Sequence, residues 1–343
     1  MAGPIQVDFP KVRGTKSPFR SQLLAAWERT SPAVLSLLPG LYVEGLSTRA
    51  VERVLEPVME GAGLSRSSVS RANEEIKAGF DLWRKRSLAG EEVIYLFLDG
   101  YYQGVRFGTR EKEAILVAHG IRADGSRVLL GVYLGGREST ESWRQVLHDL
   151  VDRGLRQPLL LISDGNPGLI RAVKDIWPMV PRRRCVQHRL RNILARVPVK
   201  SQEAVRRALN RIFYADSLEE AVRATGEFVG KYGREYASAA EVLLTDLEDW
   251  LTFFRFPRKQ WKRLRTSNGL ERELLEVRRR TRVVGRFPDE GTALSLVWAV
   301  MEERQARWRG IAMGVEQLRQ VREAAQELEA NPITVGLDGT PVA

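Results

Sequence analysis

Seven residues most constrain what this chain can become: Val93 to Asp99, V-I-Y-L-F-L-D, followed by Gly100. Six apolar or aromatic side chains in a row are too few for a helix of ordinary length. They read as a central strand buried on both faces. The run stops at a carboxylate, which at the end of a buried strand must be solvated, paired or bound to a cation. The same pattern returns at Pro158 to Asp164, P-L-L-L-I-S-D, again followed by a glycine, Gly165. If these two strands are neighbours, two carboxylates meet and repel. A divalent cation relieves that repulsion. A single Asp-Gly is also ordinary turn chemistry, the Asp capping the next turn or helix; the repetition favours the paired reading.

Charge narrows the partner. The chain has 343 residues, room for one to three domains, and 54 Lys+Arg against 43 Asp+Glu, a net charge of +11. Such an excess points to a polyanion, nucleic acid before an anionic membrane surface. A lone cysteine, Cys185, excludes an intramolecular disulfide and fits a reducing cytoplasm. Of the histidines only His188 lies near Cys185, so no structural zinc set is visible. The N-terminus lacks the basic start and apolar core of a signal peptide, and no apolar run is long enough to span a bilayer. A cytoplasmic protein with no membrane role is expected.

Residues 1 to about 20 read as a loose arm, and residues 21–38 as helical, broken at Pro32. Ser47 caps a first helix; after Gly61-Ala62-Gly63, Ser65 starts a second with Val69, Ala72 and Ile76 on one face. That is a helix-turn-helix pattern, in which Arg66, Ser67, Ser68, Ser70 and Arg71 face DNA. Leu88-Ala89-Gly90 reads as a linker. Ala114–Gly120 and Arg127–Leu134 flank a turn at Ala123-Asp124-Gly125 and predict a hairpin. Ser139 caps a helix to Asp152 whose inward residues are Trp143, Val146, Leu147 and Leu150. Next come the second Asp-ending strand, a helix from Pro167 to Ile176, a short strand ending near Cys185 and a helix through Leu190, Ile193 and Leu194. Residues 201–263 read as entirely helical, with an aromatic core around Trp250, Phe253, Phe254, Phe256 and Trp261. Two amphipathic helices, residues 289–308 and 314–329, close the chain, and its last dozen residues read as frayed.

This order, three strands, helix, strand, helix, strand, helix, is that of a ribonuclease-H-like mixed sheet, in which the first and fourth strands lie side by side. A third carboxylate is sought downstream. Glu271 in T-S-N-G-L-E-R-E-L-L-E falls in the first turn of a helix capped by Ser267 or Asn268. A capping-box glutamate explains the same spacing. Glu273 and Glu276 are rivals.

These pieces together resemble the Mutator-type transposases of bacterial insertion sequences, a branch of the DDE recombinases. The resemblance rests on L-D-G-Y-Y-Q-G-V-R at 98–106, S-D-G-N-P-G-L at 163–169, C-V-Q-H-R-L-R-N at 185–192, T-S-N-G-L-E-R-E-L at 266–274 and G-R-F-P at 285–288. It also takes in Y-x-x-G-x-S-T-R-x-V at 42–51. It implies a catalytic and metal-binding triad of Asp99, Asp164 and Glu271, with two Mg²⁺ or Mn²⁺ ions. It gives Cys185 and His188, with Asn268, a structural or DNA-positioning part. The family usually reads Asn-Ala-Ile-Glu where this chain has Asn268-Gly269-Leu270-Glu271; the glycine loosens the helix start by about 1 kcal/mol relative to Ala. The chain is also shorter at its N-terminus than the family pattern, which points to an absent accessory end-binding element.

The expected layout is a helical N-terminal domain over residues 1–88, a catalytic domain over 89–197 and 263–330, and an all-helical insertion over 198–262. Double-stranded DNA is the expected partner, both the terminal inverted repeats and the target, bound by a homodimer or larger oligomer. Arg182, Arg183, Arg184, Arg189 and Arg191 would offset phosphate charge. Two metals about 3.5–4 Å apart would activate the nucleophile and stabilise the leaving oxygen of phosphodiester cleavage and strand transfer. The alternative is a DNA-binding regulator with an inert catalytic domain, which predicts loss of a triad carboxylate; none is lost. A phosphohydrolase with Asp99 as nucleophile usually has a second Asp two residues on, where this chain has Tyr101.

Overall fold

The computed structural model describes residues 38–43, 51, 66–102, 114–135, 139–265, 268–281, 287, 289–305 and 310–333. The side chains of residues 42, 66–70, 101, 102, 268, 269 and 271 fall outside that description.

Five strands form one mixed sheet: β1 (Val93–Tyr102), β2 (Ala114–Arg122), β3 (Arg127–Gly135), β4 (Leu160–Ser163) and β5 (Arg182–Arg184). Their order across the sheet is β3-β2-β1-β4-β5. β2 is antiparallel to β1 and β3, while β4 is parallel to β1 and β5 parallel to β4. The central strands carry apolar residues on both faces because both faces are covered. On one side Leu96, Leu98, Leu116, Leu130 and Leu161 meet α3 (Thr140–Asp152) and α4 (Pro167–Ile176). Ser139 caps α3 by accepting from the Ser142 N–H, and Trp143, Val146, Leu147 and Leu150 point inward, as the 3.6-residue spacing predicts. Asn166 caps α4 and Pro167 occupies its first turn.

The other face is covered by helices from distant parts of the sequence. Tyr95, Phe97, Leu160 and Ile162 pack against Phe253, Phe254, Phe256, Trp261 and residues of α13 (Val315–Ala330), including Val321 and Leu328. Ile115, Val117, Leu129 and Val132 pack against α2 (Arg66–Trp83), α11 (Asn268–Thr281) and α12 (Glu290–Gln305). A short helix, α1 (Leu38–Val43), also contributes Val43 there. A separate core joins α5 (Val186–Leu194), α6 (Val199–Phe213), α7 (Leu218–Tyr232), α8 (Ala237–Leu244) and α9 (Leu247–Leu251) around Trp250, Phe213 and Phe228. A last short helix, α10 (Trp261–Leu264), brings Trp261 onto the sheet.

Several expectations are corrected. β1 does not end at Asp99; its ladder with β2 continues through Tyr102, because β2 is long enough to keep pairing it. Leu88-Ala89-Gly90 is not a free linker. Leu88 is buried in the α3 core and its N–H donates to the Arg153 carbonyl at 2.6 Å. The helical stretch after residue 201 breaks at Asp246, whose φ of +55° lies in the left-handed region. α12 is not amphipathic: Ala293 to Val297, Val300 and Met301 are all buried, since β3, α2 and α11 enclose it. Ala72 and Ile76 of α2 turn inward as the sequence predicts, and Phe80 is buried one turn further on; the side chain of Val69 lies outside the described residues. Of the first helix of the helix-turn-helix pattern only Val51, buried, is described; the N-terminal arm, the turn at 61–65 and the residues after 333 lie outside the described residues. Among the described residues no helix is long and apolar enough to cross a membrane.

Candidate active site

The two aspartates are brought together by strand register. β1 and β4 pair in parallel from Tyr95 opposite Leu160 to Leu98 opposite Ser163. The next step along both chains is Asp99 and Asp164. β4 and β5 pair from Leu161 opposite Arg182 to Ser163 opposite Arg184, and the Cys185 N–H still reaches the Ser163 carbonyl at 2.7 Å. Asp99, Asp164 and Cys185 therefore lie in a row at one edge of three neighbouring strands.

Their surroundings differ. Asp99 is 5% exposed and sits within the β1–β2 ladder opposite Val117. Side chains alternate along a strand, so Asp99 shares a face with Phe97 and Tyr95, the face covered by the later helices. Asp164 lies just past the end of β4 and is half-buried. One of its oxygens accepts from the Asn166 N–H at 2.9 Å, and Asn166 in turn caps α4 through Gly168 and Leu169. The chain then turns through Gly165 with φ +85°. A Cβ there would come within 1.9 Å of Arg184 Nε, so glycine is required by both conformation and space.

Glu271 lies in the first turn of α11, as the capping pattern predicts; its side chain and that of Asn268 lie outside the described residues. The helix itself is fixed at two points. Leu270 and Leu274 are buried in the cluster that contains Val117, the residue opposite Asp99. The Arg265 carbonyl, just before the helix, accepts from the Val186 N–H at 3.1 Å and from Arg183. α11 thus follows closely on the Arg265 carbonyl held beside β5, and its buried face joins the cluster that covers β2 and β3. Its other carboxylates are engaged elsewhere: Glu273 pairs with Arg304, and Glu276 with Arg279. Among the described side chains no group of three potential ligands is assembled. Asp99 and Asp164 are hard oxygen donors, the chemistry that suits Mg²⁺ or Mn²⁺ rather than zinc.

The basic residues beside this edge are not all surface groups. Arg183 is fully buried, with its guanidinium over the Phe253 ring and bonded to the Arg265 carbonyl, and burial pushes it down to about 9. It faces the core, not a DNA surface. Arg189 is 8% exposed, lies over Trp250 and donates to the Thr245 carbonyl; burial lowers it to about 10. Arg182 pairs with Asp249 at 3.6 Å, and Arg184 pairs with Asp246. Only Arg191 of these five is exposed. Cys185 is buried at the start of α5, and His188 is half-buried one turn later. Arg71 is exposed, whereas the side chains of Arg66, Ser67 and Ser70 lie outside the described residues. Sequence reasoning misses Asp246 and the second role of Gly165, which organise this edge; the one available signal is L-L-T-D-L-E-D, a cap-like Thr-Asp inside an apolar helical run.

The chain is similar to several known proteins along most of its length. The transposase of insertion sequence element IS406 from Burkholderia multivorans is 37% identical over 309 residues, 89% of this chain and 79% of that one. The ISRM5 transposase of Rhizobium meliloti is 34% identical over 307 residues, covering 89% and 76%. The IS6120 transposase of Mycolicibacterium smegmatis is 33% identical over 276 residues, covering 80% and 85%. A solved Drosophila P element transposase strand transfer complex overlays with a TM-score of 0.34 at 10% identity over 89% of this chain and 93% of that one, too loose to carry an argument. The family model described as "Transposase, Mutator family" matches residues 1–310, and the chain belongs to that family.

Proposed function

We propose that this transposase binds the ends of its own insertion sequence and catalyses metal-dependent DNA strand cleavage and strand transfer, with Asp99, Asp164 and Glu271 as its catalytic carboxylates. The observation that carries the reading is the β1–β4 register, in which Asp99 and Asp164 come directly after the last paired residues, Leu98 and Ser163. The burial of Leu270 and Leu274 in the same apolar cluster as Val117, the residue opposite Asp99, supports Glu271 as the third member. The strand order β3-β2-β1-β4-β5 with β2 antiparallel supports a ribonuclease-H-like catalytic sheet over residues 89–197 and 263–330, interrupted by the helices of 198–262. A helix-turn-helix unit within residues 1–88 binds duplex DNA through Arg66, Ser67, Ser70 and Arg71.

The three carboxylates would hold two Mg²⁺ or Mn²⁺ ions, which when bound supply an activated oxygen nucleophile and stabilise the leaving oxygen. The protein's own part is positioning. The β1–β2 ladder holds Asp99 rigidly, the Asn166 N–H orients Asp164, and the buried face of α11 sets the height of Glu271. Cys185 and His188, with Asn268, shape the edge beside them. A homodimer or larger assembly on DNA fits two terminal repeats.

Cleavage of the element's own DNA ends with Mg²⁺ tests the reading. Asp99→Asn, Asp164→Asn and Glu271→Gln should each abolish cutting while DNA binding persists, because each removes a charge that a hard cation needs. The triple variant should be little worse than a single one. Glu276→Gln should keep activity, and Glu273→Gln should keep it at reduced stability because Arg304 loses its nearer carboxylate partner. Normal cutting by Glu271→Gln, or cutting in a chelator, would refute the assignment.

A further inference from the structure

Of the arginines near the end of β5, three are turned away from solvent and onto one short segment of the helical region. Arg189 donates to the Thr245 carbonyl, Arg184 pairs with Asp246, and Arg182 reaches Asp249. Asp246 is the one non-glycine residue with a left-handed backbone among the described residues, a conformation that persists only where surroundings hold it. Arg184 is the link back to the candidate active site. Its side chain is 11% exposed, and its second nitrogen, Nη2, donates to the Gly165 carbonyl at 3.0 Å. Gly165 is the residue after Asp164 and leaves room for that guanidinium.

We propose that Arg184 is a positioning residue. It clamps the Asp164-Gly165 turn to Asp246, so that docking of the helical segment sets the orientation of the Asp164 carboxylate. A planar fork with fixed donors can bond a carbonyl on one side and a carboxylate on the other, which an ammonium cannot do in the same geometry. This role rests on the catalytic reading of Asp164 given above.

The test uses the purified full chain with Arg184→Gln, Arg184→Lys and Asp246→Asn. Three quantities are measured: amide hydrogen exchange across residues 163–169, single-turnover cleavage at saturating DNA ends, and DNA affinity with its salt slope. Arg184→Gln should speed exchange in that segment alone and slow cleavage by roughly ten- to a hundredfold, the scale of a lost orienting contact. DNA affinity should be unchanged. Arg184→Lys keeps the charge but should behave like Arg184→Gln. Asp246→Asn, at a half-exposed position that does not threaten folding, should give the same local change more weakly. Reduced affinity with a shallower salt slope and undisturbed exchange would make Arg184 a phosphate contact and overturn the clamp. So would wild-type behaviour of Arg184→Lys. The exchange readout needs no activity, so it separates two failures. Unaltered exchange beside an inactive Asp164→Asn overturns the clamp alone. Normal cleavage by Asp164→Asn overturns the catalytic reading of that carboxylate and the role given to Arg184 with it.

Discussion

Two strands with the same written pattern, an apolar run ending in Asp-Gly, are built differently. In β1 the ladder passes straight through Asp99 and Gly100 to Tyr102, with Asp99 opposite Val117. In β4 it stops at Ser163, and Gly165 swings the chain away at φ +85°. The partner strands make the difference. β1 has a long antiparallel neighbour whose register supplies a facing residue for each further position, with every second one hydrogen-bonded. β4 is paired in parallel to a three-residue β5 and to β1, and nothing prolongs it. One carboxylate is therefore carried by a rigid ladder and the other by a turn, held by Asn166 and its neighbours. A site made of one fixed and one turn-borne carboxylate can be tuned from outside the sheet through the second.

The strongest test of that contrast is functional. Asp99→Asn and Asp164→Asn should each lower cleavage by on the order of a thousandfold or more, as loss of one member of a catalytic unit does. If only one of them does so, the two strand ends do not form one site.

Stability on the β1 side should respond to acid. His119, paired across from Phe97 and stacked on its ring at 4.6 Å, is buried, and burial reinforced by the charge of Arg127 pushes it down to about 3. The unfolded chain takes up this proton below about pH 6.5 while the folded chain resists until near pH 3. Stability should thus fall as pH drops through that window, by on the order of a few kcal/mol. His119→Phe, which keeps the stack, should flatten the slope in denaturant melts at pH 7 and pH 4.5. An unchanged slope would mean His119 is not buried neutral.

Backbone requirements should split the glycines. Gly165→Ala should cost about 1–3 kcal/mol, from a left-handed backbone and the collision with Arg184. Gly100→Ala, inside a strand, should stay within about 1 kcal/mol in either direction. Equal costs in thermal melts would remove the distinction between ladder and turn. The smallest effect belongs to Ser163→Ala, which removes the acceptor for the Gly165 N–H at 3.2 Å and should cost about 0.5–1.5 kcal/mol.

Much of the scaffold is legible in the sequence. The inward face of α3, the Ser139 cap, the extent of α4 and the β2–β3 hairpin come from periodicity and turn chemistry, which are local. The aromatic run Phe253, Phe254 and Phe256 is readable as core, and it is buried against Tyr95 and Phe97. The arginines are not legible in this way. A guanidinium in R-R-R-C-V-Q-H-R reads the same whether it meets solvent, a phosphate or a carbonyl 82 residues away, as Arg183 meets that of Arg265. Nor is the burial of α12, whose enclosure depends on three elements from elsewhere in the chain.

The sequence by itself determined most of the strands and helices among the described residues, that two carboxylates end two apolar runs, and which family's residues the chain carries. Those properties depend on side-chain type at short spacing. Tertiary structure alone decided that β1 runs on past its aspartate, that Arg182, Arg184 and Arg189 grip Thr245 to Asp249, and that α11 follows closely on a carbonyl held beside β5. These are pairings between residues far apart in sequence, and they are settled by which backbone groups and charges are left to satisfy once the sheet and its covering helices have closed.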